Sequence, residues 1–93
     1  MIASFRDRDT ERIWLGLPVR RFGLDVQRQA LKKLRLLDAA RTLNDLRIPP
    51  NNRLEALFGD RKGQHSIRVN DQFRLCFVWK GDRAERVEIV DYH

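Results

Sequence analysis

The side chains in this sequence best suited to chemistry on a phosphate group are arginines, together with a tyrosine and a histidine at the end of the chain. Four cations fall in the C-terminal half, in or between predicted strands: Arg61, Lys62, Arg68 and Arg74. The sequence then ends in Tyr92-His93. Arginine presents a planar fork of donors that fits a phosphate in a bidentate way. The pattern predicts a cationic patch on a sheet, with an aromatic ring and an imidazole folded onto its edge.

Such a patch contains the parts that RNA cleavage without a metal requires. The reaction needs a group that helps to deprotonate the 2′-hydroxyl, cations that stabilise the pentacovalent phosphorane, and a donor for the leaving 5′-oxygen. Arginines meet the second need, and His93 or Tyr92 meets the first or third. Each side chain also has a simpler interpretation, because strand arginines are commonly solvated or ion-paired and terminal residues are commonly disordered. These residues alone leave catalysis and simple binding open.

The other reactive residues predict structural roles. Cys76 lies in an apolar strand and is expected to be an inert core thiol. His65 shares a strand face with Ile67 and Val69, so we expect a hydrogen-bonded core histidine. Ser66 cannot join it in a catalytic triad, because neighbours on a strand point to opposite faces. Since no Cys/His spacing is typical of a metal site and no Gly-rich loop would hold a phosphate, we expect neither a metal nor a cofactor.

Composition narrows the partners and the compartment. The 93 residues carry 19 Lys and Arg against 13 Asp and Glu, a net charge of +6, and arginine supplies 15 of the cations. This excess predicts a nucleic acid or a strongly acidic protein as partner. One cysteine excludes an internal disulfide framework, no apolar run approaches the roughly 20 residues of a membrane span, and charges at positions 6–9 interrupt any signal peptide. We expect one cytoplasmic domain over residues 1–93.

The N-terminal half has helical spacing. Asp9 or Thr10 is a suitable N-cap for a short first helix, which Gly16 and Pro18 end. The clearest helix follows Gly23, where apolar residues recur on one face: Val26, Ala30, Leu34 and Leu37. Cations lie on its opposite, wet face: Arg28, Lys32 and Arg35. A further helical turn is predicted at 42–46, before the prolines at 49–50.

Beyond those prolines the apolar period changes to two, which is typical of strands. Strands are predicted at 54–57, 65–70, 73–79 and 87–90, and residues 2–5 could add an edge strand. Ser66, Arg68 and Asn70 should share one face of the second strand. Arg74 lies across the turn at 70–71, so antiparallel pairing would bring it near Arg68. The predicted fold is α+β, with two helices packed on one face of a small antiparallel sheet.

Several longer blocks form a recognisable pattern. They are Arg-Leu-Glu-Ala-Leu-Phe-Gly-Asp-Arg at 53–61, Ser-Ile-Arg-Val-Asn-Asp-Gln-Phe-Arg at 66–74 and Asp-Tyr-His at 91–93. Shorter matches are Leu-Leu-Asp-Ala-Ala at 36–40 and Asp-Leu-Arg-x-Pro-Pro at 45–50. This pattern, which runs nearly end to end, resembles the HigB toxins of the RelE/ParE superfamily, also called plasmid maintenance system killer proteins.

The resemblance implies a RelE-like microbial RNase fold and a toxin of a type II toxin–antitoxin system. It implies a ribosome-dependent mRNA endonuclease that enters the A site of the 30S subunit, among 16S rRNA and mRNA, and cuts by 2′-hydroxyl attack. It also implies a HigA-type helix-turn-helix antitoxin, through which operator DNA is bound indirectly. Carried over residue by residue, it assigns Arg74 to phosphate stabilisation, His93 to proton transfer and Tyr92 to positioning or base stacking.

Two positions depart from that pattern. Some family members carry a lysine where this chain has Phe58, and an arginine where it has Asn70. Arg68 is the natural substitute for the missing cations, with Arg61 second, and a slower toxin is expected. Lys62 and Asn70 would contact RNA beside them, whereas Arg28, Lys32 and Arg35 would grip ribosomal RNA or meet the antitoxin.

Two other functions stay open from the sequence. One is a non-enzymatic toxin similar to ParE, which blocks DNA gyrase by binding it. The other is a basic RNA-binding module without chemistry. The Tyr92-His93 ending favours the nuclease, because a pure binder needs no proton-transfer group there.

Overall fold

The computed structural model describes residues 1–92, in which a layer of helices covers one face of an antiparallel sheet. The helices are α1 (Arg8–Trp14) and α2 (Leu24–Ala39). The strands are β1 (Glu55–Ala56), β2 (His65–Arg68), β3 (Phe73–Lys80) and β4 (Arg83–Asp91). They pair antiparallel in the order β1-β2-β3-β4. The predicted α+β class, with its helices on one face, is confirmed.

Helix α1 begins earlier than its sequence predicts. Asp7, with an extended backbone, is the N-cap, and its carboxylate accepts a hydrogen bond from the Thr10 N–H at 3.2 Å. The predicted N-cap at Asp9 or Thr10 is therefore wrong. Thr10 is instead fully buried, and its hydroxyl oxygen accepts a hydrogen bond from the Ile89 backbone N–H at 3.1 Å. A polar side chain thus ties α1 to β4 within the core.

Replacing Thr10 by valine keeps the side-chain volume but leaves the buried Ile89 N–H without its acceptor. The free energy of unfolding should fall by about 1–3 kcal/mol, the usual cost of such a group. Urea unfolding would measure the loss, and hydrogen exchange should show faster exchange of the Ile89 amide. Thr10→Ser is the matched control, because it keeps the acceptor and should keep that amide protected. Equal protection of Ile89 in both variants would contradict the assignment.

Helix α2 follows its predicted pattern. Ala30, Leu34 and Leu37 are fully buried, and Val26 is partly buried against them. The predicted wet face is exposed: Arg28, Lys32 and Arg35. The sequence pattern did not single out Lys33, which is buried and donates a hydrogen bond to Asn52 Oδ1.

The segment between α2 and the sheet contains two 3₁₀ turns, Leu43–Arg47 and Pro50–Asn52. The first confirms the helical turn predicted at 42–46. Asn52 is fully buried, and its amide nitrogen donates to the carbonyl oxygens of Leu46 and Ile48 at 3.1 and 3.3 Å. With Lys33 as its donor, this one side chain fastens the segment to α2.

The sheet has one apolar face and one largely polar face. Ile67, Leu75 and Phe77 are fully buried on the inner face, in one core with Leu34 and Leu37 of α2. The predicted strand at 54–57 forms only over Glu55–Ala56. The predicted edge segment at 2–5 makes isolated parallel bridges to β4 rather than a full strand. Within residues 1–92, no helix is long and apolar enough to cross a membrane.

Candidate active site

Strand register places two neighbouring rows of side chains on the outer face of the sheet, the face opposite the helices. Ser66 pairs with Cys76, Arg68 pairs with Arg74, and Cys76 also pairs with Glu88. Directly paired residues project from the same face of a sheet. The predicted approach of Arg74 to Arg68 is thereby confirmed.

Arg74 lies between Arg68 and Val90 in the second of these rows and is only 8% exposed. Its Nε donates to Ser66 Oγ at 2.8 Å, and its Nη2 donates to the carbonyl oxygens of Arg53 and, at 3.4 Å, Ser66. The carboxylate of Glu55 lies 4.0 Å from the same Nη2. These contacts fix the plane of the guanidinium. A fixed, nearly desolvated cation is suited to stabilising negative charge that develops on a phosphate.

The acceptors of Arg74 belong to two residues, Ser66 in β2 and Arg53 just before β1. Ser66 is fully buried in β2. Arg53 directly follows Asn52 and has a left-handed backbone with φ +46°, which lies in a region that few residues other than glycine adopt. The carbonyl oxygen of Arg53 in this conformation meets the guanidinium. The fold therefore holds Arg74 through residues that no spacing along the sequence connects.

Tyr92 lies beside Arg74. The guanidinium carbon of Arg74 is 5.7 Å from the centroid of the Tyr92 ring, within the range of a cation–π contact. The backbone N–H of Tyr92 donates to the Gln72 carbonyl at 2.9 Å, which fixes the start of the C-terminal tail. Burial, and then the neighbouring thiol of Cys76, raise the pKa of the Tyr92 phenol, which also bonds with Ser66. The phenol is therefore neutral at physiological pH and can donate a proton but not accept one as a base.

Cys76 is fully buried, as predicted, although it lies on the outer face beneath this site. Burial raises the pKa of its thiol, against the opposing effect of Arg61. A neutral, inaccessible thiol is a poor nucleophile. Cys76 therefore contributes packing to the site.

Arg61 forms an ion pair with Glu88 at the edge of the outer face. Its Nη2 lies 2.8 Å from one carboxylate oxygen of Glu88, and its Nη1 donates to Gln64 Oε1 at 3.1 Å. The other carboxylate oxygen of Glu88 lies 3.0 Å from Nε of Arg6. Burial opposes the charge of Arg61, but the hydrogen bond and charge of Glu88 raise its pKa overall. Arg61 is therefore a paired cation at the edge of the site.

The remaining predicted cations divide between the outer-face site and other surfaces. Arg68 pairs with the carboxylate of Asp71, and Lys62 is exposed in the loop before β2. The helix cations Arg28, Lys32 and Arg35 lie on the wet face of α2, so the helical layer separates them from Arg74. The structure brings Arg61, Arg68, Arg74 and Tyr92 together, and it leaves the helix cations as a separate surface.

The prediction that Asn70 shares a strand face with Ser66 and Arg68 is wrong. Strand β2 ends at Arg68, and the Oδ1 of Asn70 accepts the N–H groups of Gln72 and Phe73, both at 2.8 Å. Its Nδ2 donates at 2.9 Å to Gln29 of α2, on the inner side. The Asn70 side chain lies in the turn because an asparagine amide readily forms hydrogen bonds with backbone N–H groups two or three residues further along the chain. A contact of Asn70 with RNA stays a prediction.

The two histidines have different outcomes. The His65 ring stacks on Phe77, with centroids 6.5 Å apart, so it faces inward as predicted. The hydrogen bond expected for it is absent at its buried Nδ1, which has no partner among residues 1–92. His93, assigned to proton transfer, lies outside the described residues.

Glu55 and the Arg53 carbonyl are the site groups that sequence reasoning missed. The strand alternation placed Ser66 on the face of Arg68, but nothing in the sequence indicated that its hydroxyl would accept a hydrogen bond from Arg74. Over the part of the chain described, no three His, Cys, Asp or Glu side chains gather as a metal site would require.

A family model described as a RelE-like toxin of the type II toxin–antitoxin system HigB matches residues 4–93. The chain belongs to this HigB-like toxin family. As a HigB-like toxin, it is 54% identical over 54 residues to Toxin HigB-1 of Vibrio cholerae, an alignment that covers 58% of this chain and 57% of that relative. An uncharacterised protein of Haemophilus influenzae is 38% identical over 56 residues, covering 60% and 55% of the two chains. The matched segment thus spans little more than half the length of these relatives.

The fold of this HigB-like toxin is also found in a chain of the YoeB-YefM complex from Staphylococcus aureus. The match covers 100% of this chain and 98% of that one, with a TM-score of 0.58 and 14% sequence identity. At this identity the likeness concerns the fold alone. It establishes the RelE-like fold that the sequence pattern implied.

Proposed function

We propose that this toxin is an mRNA endonuclease that acts in the A site of the ribosome without a metal ion. The observation that carries the proposal is the buried guanidinium of Arg74, held by Ser66 and Arg53 beside the phenol of Tyr92. A toxin that acted only by binding a protein would gain little from a cation fixed below its surface, because burying a charge costs free energy.

The proposed reaction is transfer of a phosphoryl group within the message. The 2′-oxygen attacks the adjacent phosphorus and loses its proton, and the bond to the 5′-oxygen breaks as that oxygen gains one. The products are a 2′,3′-cyclic phosphate and a 5′-hydroxyl. Arg74 stabilises the phosphorane, and the neutral Tyr92 is suited to donate to the leaving oxygen or to stack on a base.

Two residues are candidates for the base that accepts the proton of the 2′-hydroxyl. His93 is the residue that the family resemblance assigns to proton transfer. Glu55 is the carboxylate that the structure places 4.0 Å from Arg74, with its side chain 54% exposed. This carboxylate is within reach of a group bound against Arg74, which makes it the second candidate.

The proposed partners follow from the family and from the distribution of charge. A HigA-type helix-turn-helix antitoxin would neutralise the toxin, and 16S rRNA with the bound message would meet its cations. The exposed cations of α2 supply a second basic surface for ribosomal RNA or the antitoxin: Arg28, Lys32 and Arg35. The proposed site of action is the cytoplasm, where ribosomes translate.

The function is tested by adding the purified toxin to translating ribosomes and mapping message ends by primer extension. We expect cuts within the message that require the ribosome and persist in the presence of a metal chelator under conditions that keep the ribosome assembled. The same preparation is assayed for inhibition of DNA gyrase supercoiling. Inhibition of gyrase with uncut messages would replace the nuclease by the ParE-like alternative, and ribosome binding without cuts would favour a pure RNA-binding module.

Glu55→Gln tests the base directly. If Glu55 accepts the proton, kcat for message cleavage should fall about 100-fold, the lower range for loss of a general base. Glu85→Gln is the matched control, since Glu85 is also a strand carboxylate paired with cations, Lys80 and Arg83, near the β3–β4 turn. Unchanged kcat in Glu55→Gln would assign the proton transfer to His93.

A further inference from the structure

Phe58 is the most exposed large apolar side chain in the described part of the protein. Its ring is 84% exposed, although the core of the same sheet lies a few residues away along the chain. Burying a phenylalanine is worth about 1.5–3 kcal/mol, so folding leaves a large favourable contribution unused at this position. The exposure of this ring is better explained by a role in binding than by a role in folding.

The segment that carries Phe58 is braced on both sides. The Phe58 carbonyl accepts the Arg61 N–H at 3.2 Å, and the Leu57 N–H donates to the Gln64 carbonyl at 2.9 Å. The side chain of Arg61 is clamped between Glu88 and Gln64. Gly59 turns the chain with φ +62°, a conformation that favours glycine. The ring therefore stands on a fixed backbone, which reduces the entropy lost when a ligand orders it.

The same segment is flanked by residues that reach the catalytic groups. Three residues before Phe58, the carboxylate of Glu55 lies 4.0 Å from Arg74. Three residues after it, Arg61 reaches Glu88, the strand partner of Cys76. Phe58 thus lies in a segment that borders the outer-face site.

We propose that Phe58 is a base-stacking residue of the RNA site, holding a nucleobase of the message next to the scissile phosphate; the proposal rests on the nuclease function proposed above. Aromatic side chains bind unpaired bases by stacking on their faces, a contact largely independent of charge. Purines stack better than pyrimidines because their rings are larger. Phe58 would then contribute to which nucleotide is preferred beside the cut.

A nucleobase fits this ring better than a protein surface does, because of what surrounds it. The ring stands in a polar turn with Asp60, Arg61 and Lys62 rather than in a continuous apolar patch. Protein interfaces are usually centred on apolar clusters whose core is poor in charge. Isolated aromatics among cations are the usual arrangement in grooves that bind single-stranded nucleic acid.

The test uses 70S ribosomes programmed with defined messages that differ only in the base beside the cut. We expect Phe58→Ala to raise KM roughly 5- to 100-fold, the range for loss of one stacked base, with a larger effect for purines than for pyrimidines. Phe58→Trp should keep the wild-type preference. Phe58→Lys should lose the preference and make binding more salt-dependent, because a lysine contacts phosphate instead. Leu24→Ala is the matched control, because Leu24 is 68% exposed at the start of α2, away from the site.

The thermal midpoint of Phe58→Ala should equal that of the wild type, since an exposed ring adds little to folding. A Phe58→Ala protein that cuts with wild-type KM and base preference would overturn the proposal, even where Arg74 variants confirm the nuclease. Weaker binding of the HigA-type antitoxin with unchanged cleavage would overturn it as well and make Phe58 a protein contact. If the wild-type toxin cuts no message, the proposed nuclease function itself is wrong. That result differs from the outcomes above, in which the wild type cuts and only the effect of Phe58→Ala decides.

Discussion

Replacing Arg74 by alanine is expected to lower the rate of message cleavage on the ribosome by about 100- to 1,000-fold, the usual cost of removing one preorganised group that stabilises transition-state charge. The effect should fall on kcat, because the guanidinium is held by Ser66 and Arg53 whether or not RNA is bound. A cation fixed in advance needs no reorganisation as the phosphorane forms. Single-turnover cleavage of a programmed message would measure the loss.

The conservative variant Arg74→Lys separates geometry from charge. A lysine keeps the charge but cannot donate to Ser66 and Arg53 in one plane, so it should restore little of the activity. Arg20→Ala, which removes an exposed loop arginine, is the control for a general loss of positive charge. Because Arg74 is buried, thermal unfolding of each variant must accompany the rates. Full activity in a folded Arg74→Lys protein would mean that the site needs only a positive charge there.

Much of the fold is predictable because its strongest elements have clear periodicity. The face of α2 that contains Ala30, Leu34 and Leu37 is buried as its spacing indicates. The alternation of Phe73, Leu75 and Phe77 identifies the inner face of β3. Short elements are harder to predict from the sequence, because two or three residues are too few to show a periodic pattern. The start of α1 at Asp7 and the shortness of β1 both follow from local hydrogen bonds rather than from a pattern.

The candidate site is predictable only where residues are close along the chain. Arg68 and Arg74 flank a single tight turn, and their pairing follows from that turn. Arg53 and Glu55 meet Arg74 through a strand pairing and a left-handed backbone that no local signal announces. Asn70 shows the opposite error, because extending the strand alternation by two residues assigned it to the wrong face.

Asn52 is the residue whose loss should most affect stability and site together. Asn52→Ala removes the acceptor of the buried Lys33 ammonium and two donors to backbone carbonyls. The free energy of unfolding at pH 7 should fall by about 3 kcal/mol, because a buried charge and two carbonyls lose their partners. Cleavage should fall too, since Arg53, the next residue, supplies an acceptor of Arg74. Urea unfolding of Asn52→Ala against the exposed neighbour variant Asn51→Ala would measure the difference.

The pH dependence of that loss identifies its cause. Burial, followed by the charges of Lys32 and Arg68, lowers the pKa of Lys33 below 10.5. Between its folded and unfolded pKa values the unfolded chain binds more protons, so stability rises with pH through that window. Without Asn52 Oδ1 to accept a hydrogen bond from the Lys33 ammonium, the folded pKa of Lys33 drops further and the pH window widens downward. The stability deficit of Asn52→Ala relative to wild type should therefore shrink as pH rises from 7 to 10. A constant deficit would attribute the loss to the two carbonyls and not to the buried charge.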